Sequence, residues 1–178
     1  GDTSTTSVQT WYGLRDDNAV ISNRSALKER KVVAAGTFDS KKVRAFEFNL
    51  PGDMDGKSGW YIDLINPPYG ASEKEGERVV GTPLVRGSTV IISSIIPTEN
   101  PCGNTGNGYI NAVDVFTGSS GVEGSVGYLD INGNGNFSDD TLTANGKKVA
   151  IGSIDLRVFM PTDALVLAGT SNELIVVG

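Results

Sequence analysis

The sequence contains no histidine and a single cysteine among its 178 residues. The first absence removes the commonest general base, the Ser/His and Cys/His nucleophile pairs and every histidine-bearing zinc site. Catalysis would have to rest on carboxylates, Lys or Tyr. The second excludes a disulfide within the chain and a zinc cluster built from thiolates. Cys102 is then either a free, half-buried thiol or one half of a bridge whose other half lies outside this chain. Basic charge is also scarce: 15 Lys and Arg face 21 Asp and Glu, for a net charge of −6. The clustered cationic face of a nucleic-acid binder is missing, so no nucleic-acid partner is expected. No apolar run reaches the length of a membrane span. The opening residues Gly1-Asp2-Thr3-Ser4-Thr5-Thr6 carry neither a basic stretch nor an apolar one, so any export signal is expected to have been removed or to lie upstream.

What is abundant is glycine. The 23 glycines are dispersed with Asn, Ser, Thr and Asp into short turn signals between β-branched and aromatic runs, the grammar of an all-β protein. Strands are predicted over Val8–Leu14, Lys31–Thr37, Val43–Leu50, Trp60–Leu64, Arg78–Val85, Thr89–Ile96, Tyr109–Phe116, Val126–Leu129, Val149–Ile154, Ala164–Ala168 and Glu173–Val177. In the third, Phe46, Phe48 and Leu50 alternate with Glu47 and Asn49, which predicts one buried face and one wet one. Val90-Ile91-Ile92 and Ile95-Ile96 are apolar on both sides, which predicts a central strand. Helical periodicity is nearly absent. Ser25–Arg30 fits either a helical turn capped by Ser25 or the approach to a strand.

A weak internal repeat is also present. Pro83–Ile92 reads as strand, tight turn, strand; Pro161 followed by Ala164–Val177 repeats that order, and Lys31–Leu50 is a looser copy. Gly108–Gly118 adds a strand ending in an Asp-x-x-Thr-Gly turn. Such hairpins resemble the blades of a β-propeller, which need neighbours around a ring to bury both faces. The units here fall short of the roughly four to eight blades of a closed propeller. Residues 1–178 are therefore expected to form a single β-rich unit, a partial propeller or a fragment of one, with antiparallel hairpins and a calcium-binding loop.

That loop is Asp130-Ile131-Asn132-Gly133-Asn134-Gly135-Asn136-Phe137-Ser138-Asp139-Asp140. Calcium takes about six to eight hard oxygen ligands, and a loop supplies them when oxygen-bearing side chains alternate at positions one, three and five, a glycine turns at six and a backbone carbonyl follows at seven. Asp130, Asn132, Asn134, Gly135 and Asn136 occupy those places in order. Phe137 is expected to point into the core and tie the loop down. Position twelve, where a bidentate carboxylate belongs, is Thr141, so the closing acid must be Asp139 or Asp140, with Asp140 favoured. Asn in place of Asp at two positions predicts moderate affinity. A plain hairpin turn is the competing reading, since Asn-Gly is a strong hairpin signal; oxygen at every second position with a trailing acid pair favours the ion.

Other motifs carry less. Asp53-Met54-Asp55-Gly56-Lys57-Ser58-Gly59 lacks a third ligand and has Lys57 where an oxygen belongs, so it reads as an exposed loop. Gly103–Gly108 precedes a strand and no Lys-Ser/Thr, which argues against a phosphate cradle. The runs Asp16-Asp17 and Glu73–Arg78 read as solvated turns. Trp11, Tyr12, Tyr69 and Tyr109 are candidates for a sugar or partner platform or, as strand aromatics, for the core.

The order of motifs resembles the C-terminal region of the PilY/PilC-type assembly factors and adhesins of type IV pili. The carrying residues are Trp11–Asp16, Gly59–Leu64, Gly76–Pro83, Ile96–Gly103, Asn111–Gly118 and the Asp130–Asp140 loop. The resemblance implies a secreted, calcium-binding protein with a C-terminal propeller at or near the pilus tip, exported through the periplasm to the cell surface. It implies roles in pilus assembly, in extension against retraction and in adhesion. The implied partners are minor pilins or a tip complex, a host or abiotic surface, and the rest of the propeller where that is a separate chain. The family's calcium loops are usually richer in Asp, a departure at Asn134. Two other classes compete: a structural subunit of a surface filament without adhesin activity, and a quinoprotein-like dehydrogenase, which shares the Asp-x-x-Thr-Gly turn but needs a carboxylate in an apolar pocket beside a quinone. The expectation is a protein that is not an enzyme.

Overall fold

The structure is a computed structural model that describes residues 5–97, 107–121, 126–155, 157, 165–168 and 173–176. Its strands are β1 (Thr10–Leu14), β2 (Lys28–Arg30), β3 (Val32–Phe38), β4 (Lys41–Phe46), β5 (Gly59–Asp63), β6 (Arg78–Val79), β7 (Leu84–Arg86), β8 (Thr89–Ile96), β9 (Asn107–Asp114), β10 (Thr141–Ala144), β11 (Lys147–Asp155), β12 (Leu165–Ala168) and β13 (Glu173–Val176). Among the described residues the helical structure is two short 3-10 turns, at Arg24–Ala26 and Ala71–Glu73, and no helix is long and apolar enough to cross a membrane. The all-β reading holds.

The largest sheet runs in the order β3-β4-β11-β9-β8-β6, with β10 added to β11 and β7 added to β8. All its pairings are antiparallel. A smaller sheet runs β1-β5-β2, with β1 antiparallel and β2 parallel to β5, and β12 and β13 form a hairpin of their own. The hairpins of blade-like grammar all form. Two of them, β3–β4 and β7–β8, are parts of one sheet, because β11 and β9 pair between them.

β8 shows why the sheet is buried on both sides. Side chains alternate across a strand, and Val90 and Ile92 enter one core while Ile91 enters another. The first core joins them to Phe46, Val113 and Val32 and to Trp11, Trp60 and Ile62 of the small sheet. The second gathers Val43, Ile110, Ala112 and Ile151 with Leu129 and Ile131, the residues on either side of Asp130. Trp60 meets Trp11 edge-on, with centroids 5.1 Å apart, and donates from Nε1 to the Val115 carbonyl at 3.0 Å. Glycines frame its ring. A β-carbon at Gly13 would overlap it, and one at Gly118, where φ is +70°, would stand 2.5 Å from Cδ2.

Several expected elements differ. Arg78–Val85 splits into β6 and β7 because Pro83 cannot donate to a ladder. Val126–Leu129 forms no strand, although Leu129 is buried. The alternation at 46–50 ends early: Phe46 is buried, but β4 stops there and Leu50 is 44% exposed. The segment after β4 turns away, and both the Phe48 carbonyl and the Asn49 side chain accept from the Arg30 guanidinium. The region 24–30 makes both structures considered for it, a 3-10 turn and then β2, but Asn23 is the cap, its Oδ1 accepting from the Ser25 amide at 2.9 Å. Cys102 and the glycines at 103 and 106 lie outside the described residues.

Candidate metal loop

The segment 130–140 leaves the second core at Leu129 and Ile131 and returns at Asp140, whose carbonyl accepts from the Ile151 amide of β11 at 2.9 Å. Both ends are thus fixed to the large sheet. Lys41, in β4, reinforces one of them: its Nζ donates to the Ile131 carbonyl at 2.6 Å and to Asp39 at 2.7 Å. Phe137 does not play the anchoring role expected of it. It is 37% exposed, and its carbonyl, through the Gly127 amide, makes the contact to the fold instead.

Between these anchors the side-chain oxygens point inward onto backbone amides. Asp130 accepts from the amides of Gly133 at 2.8 Å, Asn134 at 3.2 Å and Gly135 at 2.9 Å. Asn132 Oδ1 accepts from the Asn134 amide, and Asn134 Oδ1 from the Asn136 amide. Asn134 Nδ2 donates to Asp139 Oδ2 at 2.8 Å, so the far end of the loop is drawn to its middle. Gly133 and Gly135 take φ of +72° and +79°, which glycine adopts without cost. Asn136 Oδ1 accepts both the amide and the hydroxyl of Ser138. That fills its two lone pairs and leaves the backbone carbonyl as the donor Asn136 can offer, as position seven requires.

Asp140 differs from all of these. No part of it is reached by solvent, and neither carboxylate oxygen has a hydrogen-bond partner. Burial pushes its pKa up, the charges of Asp139 and Asp130 push the same way, and the amides of Ile131 and Asn132 pull against them without closing a good hydrogen bond. Buried polar atoms without partners are rare in folded proteins. A buried carboxylate without a partner is what a cation would relieve, and the loop's hard oxygens suit calcium better than a soft metal. The residues therefore fit a calcium ion. Asp130, Asn132, Asn134, the Asn136 carbonyl, Asp139 and Asp140 are the candidate donors. Among the described residues no three acidic or cysteine side chains are gathered closely enough to hold a metal by themselves, so the amide and backbone oxygens are needed.

Polar centres elsewhere carry no sequence motif. Arg30, fully buried, donates to the Thr117 and Phe48 carbonyls, to Asn49 and to Asp53 Oδ2 at 2.7 Å. Asp53 also meets Lys28 and the Leu50 amide, so it is no exposed loop residue. Burial alone would raise its pKa, but the Leu50 amide, Arg30 and Lys28 bring it down to about 2. Arg44 forms a second centre. Its Nη2 reaches Glu77 Oε1 and Asn111 Oδ1, each at 2.8 Å, with Ser153 and Ser94 closing a network across four strands and Tyr109 under the guanidinium. Glu77 is thus buried, and the expected solvated run at 73–78 is solvated only in part. Trp11 and Tyr109 are core residues, whereas Tyr12 and Tyr69 stay about half exposed. Arg24 lies over the Tyr61 ring and donates to the Tyr12 hydroxyl and Asp63.

This architecture matches the crystal structure of the Pseudomonas aeruginosa PilY1 C-terminal domain with a TM-score of 0.70, at 20% identity, over 99% of this chain and 36% of that one. A type IV pilus biogenesis factor PilY1 homolog of Xylella fastidiosa is 36% identical over 112 residues, and a second from the same organism is 28% identical over 123. The chain resembles the C-terminal region of PilY1. No family model matches the sequence. The chain spans 9% and 8% of the two PilY1 homologs' lengths, and the matches take in 62% and 68% of the chain. The likeness to the PilY1 domain joins a shared all-β architecture to sequence kinship with named pilus biogenesis factors.

Proposed function

We propose that this chain is part of a secreted, calcium-binding factor of type IV pilus biogenesis that acts in the control of extension and retraction and in surface adhesion. Its hairpins are read as blades of a propeller completed by the rest of a longer protein or by a separate chain. Its partners are minor pilins or a pilus-tip complex on one side and a host or abiotic surface on the other. The protein binds and transmits load at the cell surface; it does not catalyse a reaction. The similarity to PilY1 homologs supports the pilus role, and the partnerless buried carboxylate of Asp140 at the close of an oxygen-lined loop supports the ion. An ion that bridges Asp130 to Asp140 would tie both loop ends to the large sheet and stiffen that surface.

Calorimetric titration with calcium tests this directly. One bound ion per chain is expected, and at calcium about 100-fold above Kd the ion adds about 2.7 kcal/mol to the folded state. For a chain of this size that is a rise in Tm of roughly 5–10 °C, reversed by chelator. No binding heat and an unchanged Tm would refute the calcium reading.

A further inference from the structure

The same loop holds a chemistry that metal binding does not use. Asn-Gly occurs at 107–108, 132–133, 134–135 and 145–146. At such pairs the glycine nitrogen can attack the preceding side-chain amide, because glycine puts no side chain in the way and allows the backbone turn required; Asn is accordingly among the thermolabile residues. The four pairs have very different settings. Asn107–Gly108 lies within β9, laddered to Ile96 and Ile95 of β8, and Gly108 is buried. Asn145–Gly146 is the tight turn of the β10–β11 hairpin, with φ of +51° and +76° and Ala144 paired to Lys147 across it. The remaining two are exposed, as Asn145–Gly146 also is, but they belong to no strand and to no tight hairpin turn. A β-carbon built at Gly133, Gly135 or Gly146 would meet no atom within 4 Å, so what sets the loop pairs apart from Asn145–Gly146 is the strand pairing that closes the hairpin turn. The hydrogen bonds that fix their amides reach back no further than Asp130, so the segment can open without breaking a strand pairing.

We propose that Asn132–Gly133 and Asn134–Gly135 are sites of spontaneous deamidation, which converts neutral donors of the loop into carboxylates and so changes its affinity for the ion. In each step the glycine backbone nitrogen gives its proton to solvent base and bonds to the asparagine Cγ. The Cγ–Nδ2 bond breaks and ammonia leaves, closing a five-membered imide. Water then opens the ring. Cleavage of the new Cγ–N bond yields aspartate in a normal backbone; cleavage at the former backbone carbonyl yields isoaspartate, with the chain rerouted through the side chain. The sum is asparagine plus water going to aspartate plus ammonia, with no oxidant or reductant. Aspartate at positions three and five adds charge where calcium loops favour it, whereas isoaspartate lengthens the backbone and disturbs the alternation. Asn136 is the inactive neighbour, since Phe137 crowds the attacking nitrogen. An ion that holds the loop closed keeps the glycine amides on Asp130 and slows the attack. That last part rests on the calcium reading; the modification itself does not.

The test is to incubate the purified chain at mildly alkaline pH in heavy-oxygen water, with calcium or with chelator, and to map label by peptide mass spectrometry. Label is expected first at 132 and 134, later or never at 107, 136 and 145, and several-fold faster with chelator. G133A and G135A should each suppress label at the preceding asparagine. The double substitution Asn132→Asp and Asn134→Asp should bind calcium more tightly in calorimetry. Label at all four pairs alike, or none at 132 and 134, overturns the proposal, as does equal labelling with and without calcium when calorimetry detects the ion. Preferential labelling at 132 and 134 without any calcium binding supports the modification and removes the metal reading.

Discussion

Substitution of Asp140 by asparagine should stabilise the protein in one buffer and destabilise it in another. The side chain keeps its shape but loses a charge that, without an ion, no hydrogen bond or counter-charge satisfies. A buried group left so costs about 1–3 kcal/mol, more when charged. Asp140 lies out of reach of solvent and its carboxyl also feels the charges of Asp139 and Asp130, so relief of about 1 kcal/mol, at the low end of that range, is the expected gain in chelator. In calcium about 100-fold above Kd the parent gains about 2.7 kcal/mol from the ion. If the variant no longer holds it, the variant falls behind by roughly 1–2 kcal/mol. For this chain length each kcal/mol moves Tm by about 2–4 °C. Melting curves followed by circular dichroism, in chelator and in calcium, should therefore cross: variant above parent in the first, parent above variant in the second. The same rank order in both buffers would refute the assignment of Asp140 as the closing ligand.

Three further outcomes follow from the buried centres. Asp53→Ala should destabilise by about 3–5 kcal/mol in urea unfolding, because it leaves the fully buried Arg30 charge without its carboxylate. The folded pKa of Asp53, about 2, lies below its ordinary value of 3.8, so the unfolded chain takes up the proton first on acidification. Its contribution, about 2 kcal/mol at most, is complete above about pH 4 and lost as pH falls towards 2; stability measured across that window should decline in the parent and less steeply in Asp53→Asn. Gly118→Ala should cost at least about 1–3 kcal/mol through strain against the Trp60 ring, with a shift in tryptophan fluorescence as the ring is displaced; an unchanged emission spectrum would show that the ring is not held there.

Local pattern carried much of the fold and little of its polar interior. β8 occupies the predicted span because apolar side chains on both faces leave a buried strand as the one consistent solution. β2, Lys28-Glu29-Arg30, has no strand-like composition; it pairs with β5 because Arg30 is drawn inward by the Thr117 carbonyl, a partner 87 residues away. No window of sequence contains that relation. The same holds for Arg44, whose partners come from the segment before β6 and from β9 and β11. The reading of 130–140 as a calcium loop rests on a ligand spacing that is local, with Asp140 the favoured closing acid on position alone. The role given to Phe137 was not: hydrophobicity does not say which of three apolar side chains near a loop finds the core, and Leu129 and Ile131 took the place.

The order of the large sheet has a consequence for assembly in time. β11 follows β4 and β9 in the chain, yet it lies between them. Until residues 147–155 are available, β3–β4 and β8–β9 are two unjoined pieces with bare edges, and such late, long-range closure slows folding and leaves strands open to unwanted pairing. The oxygen-lined loop leads, through β10, into β11. On the proposed calcium reading, an ion captured in that loop would act as a latch on the last step, so that the supply of the ion would govern how readily the sheet is completed.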